Sequence, residues 1–280
     1  MQTGKPKTKS LHTKRTLQER PILLLTLLAV TALIVFFPEL KGGFIFDDPH
    51  YVTNNPYLDS LKALLNWPDF WVRRPLYWFS FFLEKQMWGN DPLGFKLVSL
   101  VVHILTAFFL VKFVDSVCKI KHYTWAYFPV ITGFAFLVSP LTMEAVAYIS
   151  GRNNAAGGLF FVLGCWTFSE WFRSRGKKSS IRIAILSLSL LSFVSATLFK
   201  EIYIVFLALA PAMYWWLSES SARKSILVRV ATTYALVFIL GIAAITYVPV
   251  KPLSRLKKAV IHSYRHTNLQ PLATNAHSVL

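Results

Sequence analysis

The sequence predicts an all-α polytopic membrane protein, and three observations carry that expectation. Of its 280 residues 54% are hydrophobic and 15% charged, with a mean hydropathy of +0.46, too apolar for a water-soluble domain. The apolar residues fall in long runs parted by short polar stretches. The net charge of +17 sits in those stretches, as membrane topology requires, so the expected partner is membrane lipid and not nucleic acid.

Residues 1–20 carry Lys5, Lys7, Lys9, Lys14, Arg15 and Arg20 against Glu19 alone. They read as a disordered cytoplasmic basic tail. Residues 21–37 form the first apolar run, sufficient to span a bilayer. Phe36-Phe37-Pro38-Glu39 offers no small-residue cleavage site, so the run reads as an anchor and not a signal peptide. Residues 38–93 make the longest loop, the first on the outward side. Its Trp67, Trp71, Tyr77, Trp78 and Trp88 suit short interfacial helices in the headgroup region. Further spans are expected at 94–114, 125–138, 155–171, 183–198, 202–217 and 226–248. That gives a transmembrane domain of about seven helices over 21–248, followed by an outward basic tail or loop at 249–280.

Loop charges orient the chain. With the N-terminus cytoplasmic, the short inner segments hold Lys112, Lys119 and Lys121, then Arg173, Arg175, Lys177, Lys178 and Arg182, then Arg223, Lys224 and Arg229. The other face, periplasmic, extracellular or lumenal, collects most of the acids. The tail dissents, with Lys251, Arg255, Lys257, Lys258 and Arg265 on the outside; an anion held there would account for it. Gly157, Gly158 and Gly164 allow close helix approach. Cys118 and Cys165 have neither disulfide-framework nor metal-site spacing.

The outward segments bring acids and bases together beside the spans. Asp47-Asp48 lies a few residues beyond the first span, where a carboxylate pair needs a cation, a proton or a donor to compensate it. Consecutive side chains diverge, so the pair divides its labour. Asp48, preceding Pro49, is expected off the helical region and capping a helix that starts at Pro49. Asp47 is then the candidate base for an acceptor hydroxyl. Ser139, Pro140 and Gly151 mark the cap, first position and stop of a short helix, with Glu144 and Tyr148 on one face. Arg74 and the Lys200-Glu201 turn supply groups that hold a departing lipid phosphate. His50 beside Asp47 and Asp48 makes a nitrogen/oxygen set open to a divalent cation, though no second cluster has ligand spacing. His103, inside a span, reads as a histidine satisfied by a neighbouring helix ahead of a substrate contact.

Phe46-Asp47-Asp48-Pro49, Arg74-Pro75-Leu76, the run from Pro140 through Glu144 and Tyr148 to Arg152, and Lys200-Glu201 occur in an order that resembles the transmembrane O-mannosyltransferases with tetratricopeptide repeats and their bacterial repeat-containing relatives. The resemblance covers roughly residues 22–275. It implies a GT-C-like transmembrane bundle, the C-type glycosyltransferase fold. Such enzymes take a sugar from a polyprenyl-phosphate carrier and pass it to a hydroxyl, here of protein Ser or Thr, on the outward side. An acid of the first outward loop is the base. Carried onto this chain, Asp47 or Asp48 is that acid, and Glu144, Arg152, Lys200 and Glu201 shape the donor-phosphate and acceptor site. Many relatives have an acid two positions after the arginine of the long run, where this chain has Asn154. The family continues with more spans and a repeat domain, so the chain reads as a truncated or split member needing a second chain for the missing spans.

Two functions compete. One is the glycosyltransferase; the other is a non-catalytic carrier-lipid binder, transporter or scaffold. A transporter places ionisable residues at mid-membrane. Here only His103 lies deep, which favours the enzyme.

Overall fold

A computed structural model describes residues 16–218, and every regular element among them is helical. The expected seventh span at 226–248 and the basic tail at 249–280 lie outside the described residues.

Helix α1 (Pro21–Leu40) opens with proline in its first turn, where the missing N–H costs nothing. Leu24, Leu28, Ala32 and Phe36 are fully buried. That four-residue spacing makes one stripe, packed on Leu100, Ile104, Ala107 and Val111 of α5 (Pro92–Lys121). The rest of α1 faces outward and is equally apolar: Ile22 is 82% and Ile34 72% exposed. An apolar face left open at this scale is a lipid-facing surface. In α5, Asp91 Oδ1 caps the start by accepting the Leu93 N–H at 3.0 Å. Its 30 residues give a rod about 45 Å long, longer than the roughly 30 Å hydrocarbon core.

Helices occupy each stretch expected to span between residues 21 and 217. Three are long and apolar enough to cross a membrane: α1, α5 and α9 (Ser179–Phe199). A fourth exists if α6 (Phe128–Leu137) and the Pro140–Ala147 segment, bent by 56°, form one broken span. The chain is thus a multi-pass integral membrane protein. Helix α8 (Arg152–Arg173) is 22 residues long but carries charge at both ends and a small, polar start from Arg152 to Gly158 ahead of its apolar middle. Helix α10 (Phe206–Leu217) has 12 residues and Pro211 inside it.

Helix α8 packs closely on α9 and on the turn that follows it. A Cβ on Gly157 would lie 2.2 Å from the Tyr203 ring, and one on Gly164 2.8 Å from Phe193. Ser189 Oγ donates to the Gly164 carbonyl at 2.9 Å. Small residues are what let helices approach this closely without hydrophobic drive.

The long loop folds into its own core. Helix α2 (Leu61–Asn66) is capped by Ser60 Oγ, which accepts the Ala63 N–H at 3.1 Å. Helices α3 (Pro68–Val72) and α4 (Pro75–Trp88) follow. Val52, Leu58, Leu64, Phe70, Tyr77, Trp78 and Phe81 are buried together against Phe95, Ile149, Ala156 and Phe199 of the bundle. Lys85 Nζ staples the loop, donating to the Val52, Thr53 and Asn55 carbonyls at 3.2–3.3 Å and pairing with Asp59 at 2.8 Å. Trp78, expected at the headgroups, is instead buried at 7% exposure, whereas Trp71 is 65% exposed.

One expected element is corrected. Residues 140–151 are three short pieces: a 3-10 turn at Pro140–Thr142, helix α7 (Glu144–Ala147) and a 3-10 turn at Ile149–Gly151. Tyr148 is extended (φ −103°, ψ 103°), so it and Glu144 do not share the face of one helix. The break follows from Asp48, which takes the Ser150 N–H that a continuing helix would use. Ser139 makes no side-chain cap, and Gly151 (φ −69°) precedes α8 directly instead of stopping a helix.

Candidate functional site

The chain leaves α1 through Gly42-Gly43 and turns at Phe46, which holds φ +49°. A bulky residue in that region is strained. The two carboxylates beyond it have opposite fates. Asp48 is fully buried. Its Oδ1 accepts Ser150 N–H at 2.7 Å and Ser150 Oγ–H at 2.6 Å, and its Oδ2 accepts Ile45 N–H at 3.1 Å. The Ser150 carbonyl in turn accepts the Tyr77 hydroxyl at 3.0 Å. Burial pushes the Tyr77 phenol up, so it remains a donor. Asp48 has helical dihedrals and caps nothing, correcting the expected helix cap; it orients the loop by bonding backbone amides and a hydroxyl. Asp47 is exposed, and its Oδ2 accepts the Tyr148 hydroxyl at 3.1 Å.

Asp47 opens on a cavity of about 760 Å³. Its charged lining includes Asp47, Arg73, Arg74, Glu144, Lys200 and Glu201, with Tyr148 beside Asp47. Arg74 Nε lies 3.1 Å from each carboxylate oxygen of Glu201. Arg74 sits at φ +56° ahead of Pro75, a conformation that is costly for a residue preceding proline. Partial burial raises the Glu201 carboxyl, but the hydrogen bond and charge of Arg74, with Lys200, outweigh it and leave Glu201 below the usual carboxylate range. Lys200 Nζ donates to Asn154 Oδ1, and the Tyr203 hydroxyl donates to the Asn154 carbonyl at 2.9 Å. The cavity's aromatic lining includes Tyr51, Tyr57, Trp67 and Trp78; Tyr57 and Trp67 stack with ring centroids 4.8 Å apart. A second cavity of about 280 Å³ has a largely apolar wall and shares Glu144, Gly151 and Asn154 with the first.

Two expected site residues lie elsewhere. Arg152 is 1% exposed and does not line either cavity. Its guanidinium pairs with Glu84, donates to the Phe95 carbonyl at 2.7 Å and Ser99 Oγ at 3.1 Å, and stands 4.8 Å over the Phe81 ring. The Arg152 guanidinium is thus engaged within the protein, away from both cavities. Burial pushes the Glu84 carboxyl up while Arg152 opposes the shift. His103 Nε2 lies 3.1 Å from the Leu137 carbonyl, with its ring between Phe36 and Phe136. That is a histidine satisfied by neighbouring helices, although its ring also borders the smaller cavity. His50 stands in the main cavity with its ring edge toward Tyr51. No group of three or more His, Cys, Asp or Glu gathers closely enough to hold a metal among the described residues.

Ser150 as a partner of Asp48, Tyr77 as a buried donor and the aromatic lining of the cavity escape a reading of the sequence. Ser150 lies inside the conspicuous run 140–152, yet nothing in the spacing pairs it with a residue 102 positions earlier.

This chain is similar to curated proteins from animals. Over 191 residues it is 27% identical to "Protein O-mannosyl-transferase TMTC3" of Homo sapiens, covering 63% of this chain and 20% of that protein. It is 28% identical over 149 residues to "Protein O-mannosyl-transferase F38B6.6" of Caenorhabditis elegans, covering 49% and 21%. It is 29% identical over 159 residues to "Protein O-mannosyl-transferase TMTC1" of Homo sapiens, covering 51% and 18%. The chain spans about a fifth of the length of the curated relatives it matches. No family model and no solved structure matches it.

Proposed function

We propose that this chain carries the transfer site of a membrane mannosyltransferase, which moves mannose from a polyprenyl-phosphate carrier to the hydroxyl of a protein Ser or Thr. The observation that carries the reading is Asp47: a carboxylate open to a cavity that Arg74 and Lys200 also line, with a second, largely apolar cavity sharing part of its wall. The names of the relatives supply the sugar and the acceptor class.

Asp47 takes the acceptor O–H proton as the acceptor oxygen forms its bond to the anomeric carbon. The bond from that carbon to the carrier phosphate breaks, and polyprenyl phosphate leaves with the electron pair. Arg74 and Lys200 stabilise the charge that develops on the leaving phosphate. Asp48 does no chemistry; through Ser150 it holds the loop that presents Asp47. The loop charges support a site on the outward face with the N-terminus cytoplasmic.

A second reading, a non-catalytic binder of the carrier lipid, is favoured by the bonds that Arg74 and Lys200 already make within the cavity. Transfer separates the two. Membranes holding the full chain are given polyprenyl-phosphate mannose labelled in the sugar and a Ser/Thr peptide. The enzyme labels the peptide. Polyprenyl phosphate that co-purifies with the chain while no peptide is labelled would establish the binder instead.

A further inference from the structure

Tyr148 occupies a position that the fold takes trouble to build. It is the one extended residue between α7 and the 3-10 turn before α8. The clasp of Asp48 on Ser150, two residues later, makes that break. Its ring lies over Gly151, where an added Cβ would come within 3.0 Å of Tyr148 Cδ1. Phe46 also stands against it, edge-on at 5.8 Å and itself at φ +49°. The two neighbouring aspartates therefore dock on residues two apart in the facing segment: Asp48 on Ser150, Asp47 on Tyr148. A half-buried tyrosine steered this way presents its hydroxyl to one carboxylate oxygen, Asp47 Oδ2 at 3.1 Å. Oδ1 of Asp47 accepts no hydrogen bond among the described residues.

We propose that Tyr148 is a positioning residue for the transfer reaction, its hydroxyl fixing Oδ2 of Asp47 so that Oδ1 faces the acceptor hydroxyl. This rests on the reading of Asp47 as the base. A carboxylate at the mouth of a cavity has two rotatable bonds and swings freely unless something holds it. Fixing one oxygen confines the other to the geometry in which proton transfer and attack coincide. The hydroxyl serves only as a donor. Burial first, and then the bond and charge of Asp47, push the Tyr148 phenol up to about 12, so it stays protonated wherever the carboxylate works. Tyr148 itself gives and takes no proton.

A tyrosine that merely stabilises the loop costs the same factor whatever occupies position 47; one that acts through Asp47 does not. The test is a cycle of four full chains in membranes: wild type, Tyr148→Phe, Asp47→Glu and the double variant, each normalised to folded protein by gel filtration in detergent. Asp47→Glu keeps a base but moves its oxygens by one methylene, out of reach of a register set for aspartate. The expected result is a fall of about tenfold in kcat for Tyr148→Phe in the wild-type background, with KM for polyprenyl-phosphate mannose unchanged. In the Asp47→Glu background the same change costs less than about twofold. Equal factors in the two backgrounds, or a rise in KM with kcat unchanged, would overturn the inference while leaving Asp47 as the base. Full activity in Asp47→Asn would overturn both. If Tyr148→Phe is not recovered folded, Tyr148→Leu takes its place with the same expected non-additivity.

Discussion

Ser150 donates twice to one oxygen of Asp48, from its main-chain N at 2.7 Å and its Oγ at 2.6 Å. The bond ties the loop after α1 to the start of α8 across 102 residues of sequence, and the carboxylate is wholly buried. Ser150→Ala removes one charge-assisted bond and leaves the other. It is expected to cost about 2 kcal/mol, read as a lower midpoint of denaturation in detergent. Asp48→Leu should cost more, because it strands the Ser150 and Ile45 donors. Variants as stable as wild type would show that the clasp does not hold the loop.

The Arg152–Glu84 pair gives a second prediction. Both side chains are nearly without solvent, so either one alone is an uncompensated buried charge. Arg152→Met is expected to cost about 3–5 kcal/mol and to reduce folded yield in membranes. Arg152→Met combined with Glu84→Leu should regain most of that yield, since two apolar groups of similar size leave no orphan charge. A double variant no better than the single would contradict the buried pair.

The role of Arg152 shows where a sequence stops being informative. The resemblance set it among the residues shaping the donor-phosphate and acceptor site, but the sequence holds no sign that Glu84, 68 residues earlier, lies buried beside it. The spans, by contrast, were legible: α1 and α5 announce themselves by unbroken apolar composition, which the bilayer demands locally. Asp47, Arg74, Lys200 and Glu201 were legible as a set, because acids and bases are scarce in this chain and stand out beside apolar runs. The break at Tyr148 was not, since a long-range bond from Asp48 overrides the local helix signals of Ser139, Pro140 and Gly151. The aromatic lining of the cavity was misread for a similar reason: tryptophan marks the headgroup region and the buried core alike, and only the fold separates Trp78 from Trp71.

Arg74 and Glu201 carry a pH prediction. The pair holds the Glu201 carboxyl below its usual range. Its contribution is therefore fully present above the ordinary carboxylate range, and is lost as pH falls through the depressed value. The stability difference between wild type and Glu201→Gln should stay constant from about pH 8 to pH 5 and close only below that. Denaturation midpoints of the two proteins across the range provide the check. A difference that already closes by pH 6 would contradict the pairing.

Orientation is tested with single cysteines at Ser60 and Ser179, both exposed, after the buried Cys118 and Cys165 are replaced by serine. If the basic loops face the cytoplasm, an impermeant thiol reagent applied to intact cells or sealed vesicles of native orientation should label position 60 and spare position 179. The reverse pattern would put the cavity on the cytoplasmic side.

Asp47 bears the central claim, and its replacement tests that claim most directly. Asp47→Asn keeps the size of the side chain and its bond to Tyr148 but cannot take a proton. Transfer of labelled mannose from polyprenyl-phosphate mannose to a Ser/Thr peptide should fall by about a hundred- to ten-thousand-fold, with folded yield and co-purified carrier lipid unchanged. An Asp47→Asn protein that transfers mannose at near the wild-type rate would contradict the account.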